Sequence, residues 1–92
     1  MLQLKIVSPE RVEFNGEVER VLVPGTLGSF EILTDHAPII SSLEKGKVTY
    51  VTKEGSHDLA ILGGFVEVKK NEVSLCVEVS KEIVTNDDRQ RD

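Results

Sequence analysis

Ninety-two residues with a net charge of −5, 39% hydrophobic and 4% aromatic content describe one small domain whose core must be aliphatic. The acids are scattered, which argues against nucleic acid, whose binding needs a basic face. No stretch approaches the ~20 apolar residues that span a bilayer, and MLQLKIVSPE carries no signal-peptide pattern. Work at a membrane would therefore require other proteins to hold the chain there.

Along the chain the dominant period is two. Leu2, Leu4 and Ile6 alternate with Gln3 and Lys5 until Pro9 stops the run. Val12 and Phe14 alternate with Arg11 and Glu13, placing both on one face, and Asn15-Gly16 is a turn signal. In EVERVLV the phase changes. The continuous Val21-Leu22-Val23 predicts a bulge or a strand end covered on both faces. Pro24-Gly25 and Gly28 bracket a loop, 29–33 reads as a short strand, and Thr34 to Pro38 as an irregular connection. Short strands follow over 39–43 and in KVTYVT, where Val48 and Tyr50 share a face. Lys53 to Ser56 is a polar turn, and Gly63-Gly64 is a turn or bend separating HDLAIL from FVEVKK. VSLCVEV is the last strand, with Val73, Leu75, Val77 and Val79 on one face.

This amounts to roughly eight to ten short strands with regular turn signals, an all-β sandwich or barrel over residues 1–80. The tail KEIVTNDDRQRD has no periodic apolar face and is expected to be frayed or disordered.

Catalytic chemistry is hard to find. Cys76 is the only cysteine; a lone thiol forms no internal disulfide, which suits a reducing compartment, and its strand setting predicts packing. His36 and His57 are not spaced with Cys76 or a carboxylate as metal ligands are. His57 reads as an exposed strand residue. Gly25 to Gly28 lacks the Gly-Lys-Ser/Thr ending of a phosphate-binding loop. Asp87-Asp88 reads as a solvated acidic pair. No catalytic residue, cofactor site or metal site is indicated.

Several segments, taken in order, carry a resemblance. LKIVSPE leads to F-x-G-E-V-E at 14–19 and V-x-x-P-G-T-x-G at 21–28. F-E-I-L-T-D-H-A-P-I-I-S-x-L-x-x-G follows at 30–46, and A-I-L-G-G-F-V-E-V at 60–68. Over residues 2–80 this resembles the N-terminal domain of the epsilon subunits of F-type ATP synthases, called delta in mitochondria. The resemblance implies a flattened two-sheet β-sandwich of about ten short strands, a common all-β architecture. It implies a non-catalytic place in the central stalk, binding the gamma subunit and resting on the polar loops of the c-ring. Membrane association would then be peripheral and indirect, at the cytoplasmic face.

The same resemblance implies a c-ring-facing loop of Pro24, Gly25, Thr26, Leu27, Gly28, Ser29 and Phe30. It also implies gamma or c-ring contacts at Ser8, Glu31, His36, Ala37, Pro38, Ile39 and Ser42. Ala37, Pro38 and Ile39 read equally well as a shaped corner of the core. Most family members continue beyond the sandwich as a helical hairpin that can inhibit hydrolysis and in some cases binds ATP. For a chain ending at KEIVTNDDRQRD the expectation is that both properties are absent. The alternative function, a stand-alone sandwich binding a small molecule, would need an aromatic-lined pocket that so few aromatic residues make hard to build.

Overall fold

Alternating aliphatic and polar residues pair into eight strands in a computed structural model that describes residues 1–80. The expectations for residues 81–92, including Asp87-Asp88, lie outside the described residues. The strands are β1 (Leu2–Val7), β2 (Val12–Val18), β3 (Arg20–Gly25), β4 (Gly28–Ile32), β5 (Ile39–Leu43), β6 (Gly46–Thr52), β7 (Gly55–Lys69) and β8 (Glu72–Val79). The fold is all-β and sandwich-like, as the period of two predicts.

One layer runs β2-β1-β8-β7-β5, with β1 and β8 parallel and the other neighbours antiparallel. The second is built from β4, β3, β6 and the first half of β7. The expected count of about ten separate strands in two sheets is corrected to eight in one continuous hydrogen-bonded system. HDLAIL and FVEVKK are a single strand of 15 residues that serves both layers. Its first half pairs with β6 and its second half with β5 and β8. A second link joins the layers at Gly25, which pairs with Leu43.

Both layers turn their aliphatic side chains inward to one core. Leu2, Leu4, Ile6, Val66, Val68, Val73 and Leu75 come from the first layer, and Val21, Val23, Ile32, Val48 and Ile61 from the second. Burying such a side chain contributes about 1.5–3 kcal/mol. Their removal from water is the main source of stability in a domain almost without aromatics.

Two sequence expectations about strand faces are corrected. Val21-Leu22-Val23 is neither a bulge nor covered on both faces: Val21 and Val23 are buried, Leu22 is exposed, and the ladders to β4 and β6 hold register. The phase change lies at Glu19, between β2 and β3, where the chain leaves one layer for the other and the Glu19 N–H donates to the Val51 carbonyl at 2.8 Å. Val12 and Phe14 do not share a face either. The β1–β2 register shifts, so that Phe14 pairs with buried Ile6 but Val12 pairs with Val7. A bulge there sends Val12 outward.

Gly64 bends β7 where it changes partners. Its φ is +148°, and an added Cβ would lie 2.2 Å from the Cys76 carbonyl oxygen and 2.8 Å from the Val77 Cα. Only glycine tolerates both the conformation and the close backbone. Gly63 has no such restriction, its nearest contact being the Leu43 carbonyl at 3.5 Å. Gly64→Ala should lower the unfolding free energy by more than about 3 kcal/mol in urea titrations, and Gly63→Ala by less than about 1 kcal/mol. Equal effects of the two would show that the bend does not depend on Gly64.

The layers also meet where the Phe14 ring approaches Tyr50, with centroids 4.5 Å apart, while His57 stacks on the other side at 5.2 Å. His57 is exposed, as expected, and its Nε2 lies 3.1 Å from the Thr52 hydroxyl, closing the β6–β7 turn. Burial, with the negative charge of Glu13 adding to it, raises the Tyr50 phenol above its ordinary 10.0. The chain has one tyrosine and no tryptophan, so absorbance titration reads this group alone. The midpoint should lie above 10.0, and Glu13→Gln should lower it. Since the folded state favours the protonated phenol, its contribution is complete below the ordinary value and is lost as pH rises through the raised one. A midpoint at or below the ordinary value would mean that the ring is solvated.

Candidate functional site

The β3–β4 hairpin ends in a two-residue turn. Gly25 pairs with Gly28, and Thr26 and Leu27 form the tip. Gly28 has φ +132°, a conformation that favours glycine. The hairpin is tied to its neighbour by backbone: Thr26 N–H donates to the Ser42 carbonyl at 3.0 Å, and Glu44 N–H to that of Pro24 at 2.9 Å. Pro24 and Gly25 are buried at its root, Phe30 packs against the core, and Thr26, Gly28 and Ser29 are exposed. Leu27 is 102% exposed, an apolar side chain presented on a braced support.

The connection from β4 to β5 lies at the opposite end of β4 and carries His36, Ala37 and Pro38. It is a tight structure. His36 N–H donates to the Leu33 carbonyl at 3.1 Å, and Nδ1 lies 2.8 Å from the Ala37 carbonyl. A carbonyl only accepts, so Nδ1 carries the proton in this arrangement. The His36 ring is half-buried and centred 6.4 Å from that of Phe30. Asp35, at φ +65°, is bonded to Asn71 in the β7–β8 turn.

The residues singled out from the sequence therefore fall into groups. Pro24 to Ser29 and Ser42 come together at one end, while His36 to Ile39 lie at the other end of β5, where Ile39 pairs with Val68. Glu31 is on the exposed side of β4, 3.5 Å from Arg20 Nε, a pair worth about 0–1 kcal/mol. Ser8 follows the far end of β1 and closes the β1–β2 connection. Its hydroxyl donates to Glu13 Oε2 at 2.8 Å and accepts the Arg11 N–H at 3.3 Å.

A further feature was not singled out from the sequence. Phe65 pairs with Cys76, Cys76 with Val7, and Val7 with Val12, making one row across the outer face of the first layer. Ile40 continues it on β5, beside Ser42, which pairs with Phe65. Ile40 is 74% exposed, Val12 52% and Phe65 50%. Cys76 is half-buried within this row, opposite in face to buried Leu75 and Val77. Expected to pack, it stands half-buried on the outer face, paired with Val7 and Phe65. Phe65 and Ile40 were legible as apolar outward positions beside Glu67 and Lys69, but the bulge that aligns Val12 was not.

Surface clefts flank the row. Val7, Ser8, Pro9, Cys76, Val77 and Glu78 line one, and Pro38, Ile39, Ile40, Glu67, Val68 and Lys69 line another. Among the described residues no group of three or more His, Cys, Asp or Glu is placed to hold a metal ion, and no helix is long and apolar enough to cross a membrane. What this surface offers chemically is apolar contact area and a braced hairpin tip.

Comparison with known proteins supplies the family. Residues 1–83 match the profile of the ATP synthase delta/epsilon chain β-sandwich domain. The chloroplastic ATP synthase epsilon chain of Tetradesmus obliquus is 37% identical over 86 residues, covering 94% of this chain and 63% of its own length. The epsilon chain of Gloeobacter violaceus is 45% identical over 75 residues, covering 80% of this chain and 56% of its own. The chain thus spans about three fifths of the length of these curated relatives.

Two cryo-EM structures share the fold. One is a Euglena gracilis mitochondrial ATP synthase F1 and c-ring assembly, with TM-score 0.77 and 19% identity over 83% of this chain and 49% of that one. The other is the central stalk and c-ring of the Tetrahymena thermophila mitochondrial ATP synthase, with TM-score 0.72 and 17% identity over 96% of this chain and 80% of that one. The match over the whole sandwich leaves one conclusion: this chain belongs to the family of ATP synthase delta/epsilon chain β-sandwich domains.

Proposed function

We propose that the chain is a non-catalytic central-stalk subunit of an F-type ATP synthase, joining the gamma subunit to the c-ring so that rotation driven by proton flow reaches the catalytic head. The carrying observation is the uncovered row Ile40–Phe65–Cys76–Val7–Val12 on a domain of this family. A run of outward apolar side chains across the strands of so small a domain costs solubility unless a partner covers it. In this reading gamma covers the row and its flanks, Ser8 and His36 to Ile39. The Pro24 to Phe30 hairpin rests on the polar loops of the c-ring, with Leu27 at its tip and Ser42 behind it. The subunit then sits peripherally at the cytoplasmic face, held by its partners.

The two contacts separate by mutation. Phe65→Glu, on an exposed position, should keep the fold yet weaken binding to purified gamma at least tenfold, since a carboxylate pressed into an apolar contact loses its hydration without a partner. Ser29→Arg should bind gamma normally but hold the c-ring less well and couple proton flow poorly in the assembled enzyme. Lys53→Glu, in the exposed β6–β7 turn, should change neither. Normal gamma binding by Phe65→Glu, or normal coupling by Ser29→Arg, would count against the corresponding contact.

The single thiol supplies an independent readout. Cys76 should react readily with a maleimide in the isolated chain, and bound gamma should slow that reaction severalfold. Equal rates with and without gamma would place the partner elsewhere.

A further inference from the structure

Resting on the reading of the His36 connection as a gamma contact, we infer that Asn71, far from it in sequence, is the residue that positions this connection. Residues 33–38 are exposed except for His36. Their other described hydrogen bonds, from His36 to the Leu33 and Ala37 carbonyls, are local. Local bonds shape a loop without fixing where it stands on the body.

Asn71 supplies the tie. Its Oδ1 accepts the Asp35 backbone N–H at 2.7 Å, and its Nδ2 donates to the Asp35 carboxylate at 3.3 Å. This reciprocal pair clasps the one connection residue with a left-handed backbone, φ +65°. Such a conformation disfavours non-glycine residues, although Asp and Asn tolerate it better than most.

Asn71 is itself anchored to the first layer. It lies in the turn between β7 and β8, it follows Lys70 at φ +57°, and its carbonyl accepts the Gln3 N–H of β1 at 2.8 Å. The clasp therefore refers the position of His36 to the rigid first layer, the same layer whose outer face carries the apolar row. Asn71 positions the contact surface; it need not touch the partner.

The clasp has a chemical polarity that can be inverted. Asn71→Asp replaces the amide donor by a second carboxylate facing Asp35, whereas the exchanged pair Asp35→Asn with Asn71→Asp again supplies one donor and one acceptor. Asn71→Asp should speed amide hydrogen exchange at Asp35 and His36 at least fivefold and weaken gamma binding about fivefold, with little change in the thermal midpoint. The exchanged pair should restore both. Asn71→Ala, which removes the acceptor of the Asp35 N–H as well as the amide donor, should exceed Asn71→Asp in both readouts and should not be rescued by Asp35→Asn.

Unchanged exchange at Asp35 and His36 in Asn71→Asp, or an exchanged pair no better than Asn71→Asp alone, would overturn the inference. Faster exchange with undiminished gamma binding would overturn it too. His36→Ala then identifies which premise failed: normal gamma binding by that variant removes the connection from the interface, whereas weakened binding rejects only the positioning role of Asn71.

Discussion

Everything in this domain depends on one strand serving two layers. A strand of 15 residues that pairs with β6 over its first half and with β5 and β8 over its second must bend between them. The bend brings its backbone against that of β8, closer than any side chain allows. Gly64 occupies that point, with the Cys76 carbonyl where a Cβ would project. The ladder with β6 ends at Ile61 and the ladder with β5 ends at Gly64, while the ladder with β8 runs through this glycine to Lys69. The enclosed aliphatic core follows from it, because the two inward faces oppose each other only when the strand folds over.

The same device of locally broken register shapes the outer surface. Where β7 bends, its register with β8 shifts between Ile61 and Gly63, and Leu62 is turned outward. In β1–β2 the shift between Ile6 and Val7 turns Val12 outward while Phe14 stays inside against Tyr50. Bulges re-aim side chains in this way without ending the sheet. The consequence is an apolar row on a face that strict alternation would have left more polar. Core packing and the apolar outer row thus draw on one structural habit.

The contact candidates combine rigid support with apolar or weakly charged tips. Leu27 stands on a hairpin fastened by backbone to β5, and His36 stands on a connection fastened by Asn71 to the first layer. Ser8 spends its hydrogen bonds on Glu13 and Arg11, so its role is to shape the β1–β2 connection beside the row. In the role proposed above, such an arrangement would carry force through ladders of hydrogen bonds rather than through loose loops.

By itself the sequence determined most of the strands, most of their inward faces and several turns; Asn15-Gly16, read as a turn, instead lies inside β2, paired with Lys5 and Leu4. Alternation in Leu2-Leu4-Ile6 and Val73-Leu75-Val77 is a local property, written in neighbouring side chains and readable without a fold. It also carried the family, since the ordered motifs from LKIVSPE to AILGGFVEV lie along the chain. Only the tertiary structure decided that two apparent strands are one, that Val12 and Cys76 share the outer face with Phe65, and that Asn71 clasps Asp35. Each of these depends on register between strands distant in sequence. A one-residue slip at a bulge reverses which face a side chain occupies, and no local pattern records it.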